Sequence, residues 1–154
     1  MKLTNRHNIP RAMADVIISG QWDITKNDPK RIGVTELNNP PLVTQLKRRH
    51  WNELEEDVSN MLWLLLGNSV HWVLSRVKRD KRLVEEKMIQ VVNGFTVVGK
   101  IDIYDENLKS IEDYKVTSVC SVKEDKNEWA CQLNCYAWFL RKLGFEVKKA
   151  YINA

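Results

Sequence analysis

Two β-rich runs carry charge where a buried strand should be apolar: Gly99-Lys-Ile-Asp-Ile-Tyr104 and Lys109-Ser-Ile-Glu-Asp-Tyr-Lys115. Period-two alternation puts Ile101 and Ile103 on one face of the first run and Lys100, Asp102 and Tyr104 on the other. The turn Asp105 to Asn107 returns the chain as a second strand from about Lys109 to Lys115. With Tyr104 opposite Lys109, Asp102 falls opposite Ile111, and Asp113 and Lys115 share its face. Two carboxylates and a lysine then converge. Carboxylate oxygens are hard ligands suited to Mg²⁺ or Mn²⁺. A lysine two residues beyond a ligand can orient a water or stabilise charge developing on a phosphoryl group. The plainer alternative is an amphipathic hairpin with exposed charges.

Several elements must hold this hairpin. Asn52 followed by Glu55 has the spacing of a capping box and predicts a helix to about Arg76, with Leu54, Val58, Met61, Leu62 and Leu65 on its core face. Gly67 and His71 lie one turn apart on it. A lone histidine near a helix end is ordinarily a packing or capping residue. Arg82 to Val92 reads as a strand, and Asn93-Gly94 predicts a two-residue hairpin turn. Val92 then faces Phe95, and counting back brings Glu85 opposite Asp102, a secondary candidate for a metal or water contact. A slip of one residue would substitute Glu86, and a solvent-facing edge strand is the plainer alternative. A helix is predicted from about Glu128 to Leu143, stopped by Gly144, with a core stripe of Ala130, Leu133, Ala137 and Leu140. Gln132 and Tyr136 occupy an adjacent stripe, where they could contact a phosphate, help position a site, or simply be half-buried. Phe145 to Ile152 reads as a last strand.

Taken in order, Gly67-x-x-x-His71, Gly99-x-x-Asp102, Asp113-x-Lys115 and Gln132-x-x-x-Tyr136 resemble the motifs of the PD-(D/E)XK nuclease superfamily, in its RecB-like exonuclease branch, phage types included. The resemblance covers roughly residues 67 to 152. It implies an α/β core of restriction-endonuclease type, a mixed sheet flanked by helices. It also implies a divalent-metal-dependent deoxyribonuclease, an exonuclease of recombination, repair or phage DNA processing. His71, Asp102 and Asp113 would bind Mg²⁺ or Mn²⁺ with the backbone carbonyl of Tyr114, imidazole leaning the preference toward Mn²⁺. Lys115, Gln132 and Tyr136 would complete the catalytic set. Val116 follows the lysine where family members often carry a hydroxyl residue, and the chain ends soon after the last strand where they commonly continue.

Length and composition agree with one soluble domain: 154 residues, 44% hydrophobic and 29% charged. No apolar run is long enough to span a bilayer and the start lacks a signal-type core, so the expected location is cytoplasmic, in a bacterial or phage-infected cell. Residues 1–40 are polar and proline-punctuated, an N-terminal arm of the same domain with a short helix over Arg11 to Ser19. Residues 41–154 form the core, beginning with a helix from Pro41 to about Arg49. Net charge is +4 with a pI near 9.0. The excess concentrates in Lys47-Arg48-Arg49 and around Lys78-Arg79, clusters that could line phosphates or sit as solvated helix ends. DNA, double- or single-stranded and engaged at ends, is the expected partner, with a second copy or a recombination protein as further candidates. Three cysteines, Cys120, Cys131 and Cys135, suit neither a disulfide framework nor the four-cysteine iron-sulfur cluster of some RecB-like nucleases, so no such cluster is expected. The rival function is an inert or accessory nucleic-acid-binding module on the same fold.

Overall fold

The computed structural model describes residues 1–20, 28–77, 80–123 and 126–154. Its centre is the long hairpin of β4 (Arg82–Val92) and β5 (Phe95–Asp105), joined at Asn93 and Gly94, which both have positive φ, 49° and 79°. Asn and Gly tolerate that left-handed backbone, and the turn fixes the expected register, with Val92 opposite Phe95 and Val84 opposite Ile103. β4 occupies one edge of β5 along its whole length. Two strands therefore share the other edge: β2 (Arg31–Gly33) runs parallel to residues 96–98, and β6 (Ser110–Tyr114) antiparallel to residues 103–105. Between them, residues 99–102 of β5 have no ladder partner on that edge, and the functional side chains gather there. Beyond β6 lies β7 (Lys149–Asn153), in parallel register, giving a mixed sheet.

Helix α6 (Asn127–Lys142) packs on this sheet. Its buried face is Gln132, Tyr136, Ala137, Phe139 and Leu140, rotated from the expected stripe so that Ala130 is exposed and Phe139 wholly buried. The rotation has a local cause. Gly99 leaves room for the rings of Tyr136 and Phe139, which come down onto the sheet where no side chain stands in the way. Val34, opening the short helix α2 (Val34–Leu37), closes the same core with Met88, Ile101 and Ile111.

Residues 1–40 are therefore not all an arm. Arg31–Gly33 is a strand of the main sheet and Val34 belongs to its core, a role hidden by a segment too short to show alternation. The boundary at residue 41 separates nothing structural, since α3 (Pro41–Arg49) follows α2 after a short turn. A second, smaller core joins Val58 to Ala14 and Ile17 of α1 (Arg11–Ser19) and to Met61, Leu62 and Leu65.

The helix expected from Asn52 begins ten residues later. Glu55–Asp57 forms β3, parallel to β1 (Lys2–Thr4), then a 3-10 turn over Val58–Met61 leads into α4 (Leu62–Leu74). Asp57 is the reason. Its carboxylate accepts from the amides of Arg6 at 2.7 Å and Ser59 at 3.0 Å and from the Thr4 hydroxyl at 2.9 Å. Those donors, the Arg6 amide foremost, hold it well below the usual carboxylate range. It thus caps the turn and pins β1, and the backbone before it is committed to a strand.

The β5–β6 register is shifted by two residues from the expected one: Tyr104 faces Ile111 and Asp105 faces Ser110. The loop is longer than the sequence suggested. Asp105 Oδ1 accepts from the Leu108 amide at 3.0 Å while Oδ2 accepts from Arg82 Nε at 2.6 Å, and Lys109 adopts φ 52°. An even shift leaves every side chain on its face, so the convergence of carboxylates survives the error. Among the described residues no helix is long and apolar enough to cross a membrane.

Candidate metal centre

Continuing the observed register would set Asp102 opposite Asp113. The ladder stops short of that pair, and the Asp102 side chain takes the place of a backbone partner, Oδ2 accepting from the Tyr114 amide at 2.8 Å. Its other oxygen, Oδ1, lies 3.3 Å from His71 Nδ1, and Glu85 Oε1 lies 3.2 Å from the same nitrogen. Ligand atoms of His71, Glu85 and Asp102 all fall within 4.8 Å of one another. Burial pushes the Asp102 carboxyl above its ordinary value, the Tyr114 amide opposes this, and the charge of Asp113 adds to the rise.

Glu85 reaches the cluster by a distortion. Its φ of 53° is left-handed, unusual for a glutamate, and the ladder with β5 skips it between Val84 and Glu86 while the register on either side is unchanged. A strained residue among convergent ligands is where such strain is ordinarily stored. Its other oxygen pairs with the Lys100 ammonium.

Asp113 is buried at 1% exposure. Oδ1 accepts from Gln132 Nε2 at 3.2 Å. Lys115 Nζ lies 2.8 Å from Oδ2, close enough to balance charge, yet no donor is aligned on that oxygen. Asp113 lines the same cavity as His71, Glu85 and Asp102 but stands outside the group whose ligand atoms lie within 4.8 Å of one another; a buried carboxylate oxygen without an aligned donor in such a cavity suits a hard divalent cation. The donor set therefore fits Mg²⁺ or Mn²⁺. Lys100 and Lys115 supply positive charge beside the acidic residues, pairing with Glu85 and Asp113.

Gln132 ties the parts together. Besides Asp113, its Nε2 donates to the Tyr136 hydroxyl at 2.8 Å, and its Oε1 accepts from Lys115 Nζ at 3.1 Å. Tyr136 is buried with its hydroxyl turned to Gln132, and burial drives its acidity far below that of a free phenol. Its hydroxyl thereby anchors the Gln132 amide. Of Tyr114, the amide faces the cluster. Its phenol donates to Glu112 Oε2 at 2.6 Å and is pushed up to about 12, chiefly by burial.

The basic clusters divide. Arg48 is a structural residue: its guanidinium pairs with Glu36 Oε1 at 2.8 Å and donates to the carbonyls of Arg31 at 2.9 Å and Pro29 at 3.1 Å. Helical periodicity accounts for the division, since in Lys47-Arg48-Arg49 one side chain must turn inward while its neighbours turn out. Lys47 and Arg49 are exposed; Lys78 and Arg79 lie outside the described residues. Gly67 has open space where a Cβ would stand, so its place in α4 answers to no close packing.

An open cavity of about 460 Å³ holds the cluster and adds Asn68, Trp72, Ser75 and Lys100 to the residues singled out from the sequence. Asn68 and Ser75 stand three before and four after His71, the spacing of one helical face. Lys100 stands two before Asp102, on the same strand face. Both signals were present in the spacing.

No protein-family model matches the chain, and no curated protein does. Among solved structures, the chain is similar to that described as "Crystal structure of SSO0001", with a TM-score of 0.61 and 16% identity over 92% of this chain and 68% of that one. A likeness at that identity concerns the fold alone, an α/β arrangement with a mixed sheet flanked by helices.

Proposed function

We propose that the protein is a divalent-metal-dependent deoxyribonuclease, an exonuclease, on a core of restriction-endonuclease type. The observation that carries this reading is the convergence of His71, Glu85 and Asp102 in one cavity with the buried Asp113, whose Oδ2 has no aligned donor and lies within reach of Lys115. Support also comes from the motif order, which resembles that of RecB-like nucleases and whose four pairs of residues all fall on the elements around the cluster or, for Gly67, on the helix carrying His71.

His71, Glu85, Asp102 and Asp113 would hold Mg²⁺ or Mn²⁺. When bound, such an ion lowers the pKa of a coordinated water and polarises a phosphoryl oxygen. The chain's own groups do the rest. Lys115, fixed by Gln132 and Asp113, presents its ammonium where an attacking water or an added negative charge would sit. Gln132, anchored on Tyr136, keeps the carboxylate and the ammonium in register. The Tyr114 amide fixes the rotamer of Asp102. Lys100 balances Glu85 and lines the cavity.

The test is cleavage of labelled linear and circular DNA with Mn²⁺ or Mg²⁺ and with EDTA. Products from the linear substrate alone, suppressed by EDTA, are expected. Equal cleavage of circles would replace exonuclease by endonuclease, and no cleavage with either metal would favour the inert, accessory module.

A further inference from the structure

A second, larger concavity of about 940 Å³ adjoins the metal centre, and Lys100 lines both. Its walls come from the segment around β2, α2 and α3 on one side and from the β4–β5 hairpin on the other, with Tyr136 at its floor. Arg31, Lys47, Lys87 and Lys100 bring four cations to it, and Trp51 an aromatic ring. The acidic residue among its lining, Glu36, is already neutralised by Arg48. Lys87 lies directly opposite Lys100 across the hairpin. The Lys100 ammonium is paired with the Glu85 carboxylate, so Lys87 is the cation of the two that is left to meet a phosphate. Lys47 and Lys87 are exposed and have no carboxylate partner among the described residues.

We infer that this groove is the path of a single nucleic-acid strand, its phosphates held by Lys47 and Lys87 and one base stacked on Trp51, leading over Lys100 to the metal centre. The inference rests on the nuclease reading for what happens at the end of the path, but not for binding itself. The choice of a single strand follows from Trp51. A tryptophan face can stack only on a base whose own face is uncovered, which every base of a flexible single strand can offer and a duplex offers only at its terminal pair. A cationic groove with an aromatic platform suits backbone tracking without base-edge readout.

The experiment is fluorescence anisotropy of labelled oligo-dT and of a duplex of equal length, in EDTA so that cleavage does not compete. Wild type should bind the single strand more tightly than the duplex. Trp51→Leu should weaken oligo-dT binding about tenfold while Trp51→Phe retains most of it. Lys47→Ala and Lys87→Ala should each reduce the slope of log affinity against log salt by about 0.7, and Trp51→Leu should leave that slope unchanged. Melting curves confirm folding, and Lys87, exposed on its strand, serves as the decisive position if Trp51→Leu does not fold. Unchanged oligo-dT affinity in Lys87→Ala and Lys47→Ala, or duplex bound as tightly as single strand, overturns the assignment. Groove-dependent binding without cleavage would sink the nuclease reading and leave the groove standing; cleavage with groove-independent binding would do the reverse.

Discussion

His71 Nδ1 lies 3.3 Å from Asp102 Oδ1, and this contact is where helix α4, seated on the small core, meets the central strand of the main sheet. In one tautomer the nitrogen can donate to these oxygens, and in the other its lone pair is available to a cation. His71→Ala should weaken Mn²⁺ binding at least about tenfold, since loss of a group that merely supports a ligand already costs that much. Cleavage should partly recover at higher Mn²⁺, because the carboxylates remain. Calorimetric titration decides: unchanged Mn²⁺ affinity with a lowered melting temperature would make His71 a packing residue.

Asp102 gives a prediction in pH. Burial raises its folded pKa, so below the ordinary value of 3.8 its ionisation costs the fold nothing, and as pH climbs through the raised value the metal-free protein is progressively penalised. Asp102→Asn keeps an acceptor for the Tyr114 amide and removes the charge. In EDTA at neutral pH it should melt higher than wild type, about 2–4 °C for each kcal/mol relieved, with the difference vanishing in acid. Mn²⁺ should then stabilise wild type and leave the variant unmoved. A variant that melts lower at neutral pH would show that the buried charge is not the dominant cost.

Asp113→Asn preserves an acceptor for Gln132 and should fold with little change while losing about 100-fold or more in cleavage. Lys115→Ala differs in kind. It leaves Asp113 charged and buried without its cation, which should cost the metal-free protein about 2 kcal/mol, less than the 3–5 of a fully buried pair because Lys115 reaches solvent. Mn²⁺ should restore much of that stability but not the rate. Wild-type rates in both variants would remove the site.

The site was more legible than its scaffold. Asp102, Asp113, Lys115 and Gln132 could be placed because period two and period 3.6 assign faces, and a face survives an even slip, as the β5–β6 hairpin showed. The turn at Asn93-Gly94 fixes the register that brings Glu85 level with Asp102, but the left-handed backbone by which Glu85 leaves the ladder had no trace in the sequence. What stayed hidden depends on single long-range contacts that leave no periodic trace. Three residues of β2 become sheet because β5 offers them an edge, Glu55–Asp57 becomes strand because Asp57 gathers donors from β1, and Arg48 turns inward because Glu36 awaits it. The face that α6 buries was set by what Gly99 lacks.

Gly99→Ala tests that last relation. A Cβ there would stand 2.9 Å from Tyr136 Cε1 and from Val34 Cγ2, and 3.3 Å from Phe139 Cε2. Overpacking of this kind costs about 1–3 kcal/mol. Displacing Tyr136 should also loosen Gln132 and so lower cleavage more than the melting temperature alone explains. Adding Val34→Ala, which removes one of the close atoms, should recover part of the stability. No recovery would mean that the backbone, not the packing, bears the cost.

Arg48 and Lys47 are neighbours in sequence with opposite roles, and their variants should separate cleanly. Arg48→Ala strands Glu36 and deprives the carbonyls of Pro29 and Arg31 of their donor, so it should destabilise by about 2 kcal/mol or more. Since Glu36 also accepts from the Gly33 amide at 3.2 Å, the damage should spread to the start of α2 and to β2. Where the protein remains folded, the salt slope of oligonucleotide binding should match wild type, because Arg48 neutralises no phosphate. Lys47→Ala should show the converse: an unchanged melting temperature and a shallower slope. Melting curves and salt titrations on the two variants, run side by side, check both halves. A shallower slope for Arg48→Ala at unchanged stability would return it to the phosphate-binding surface.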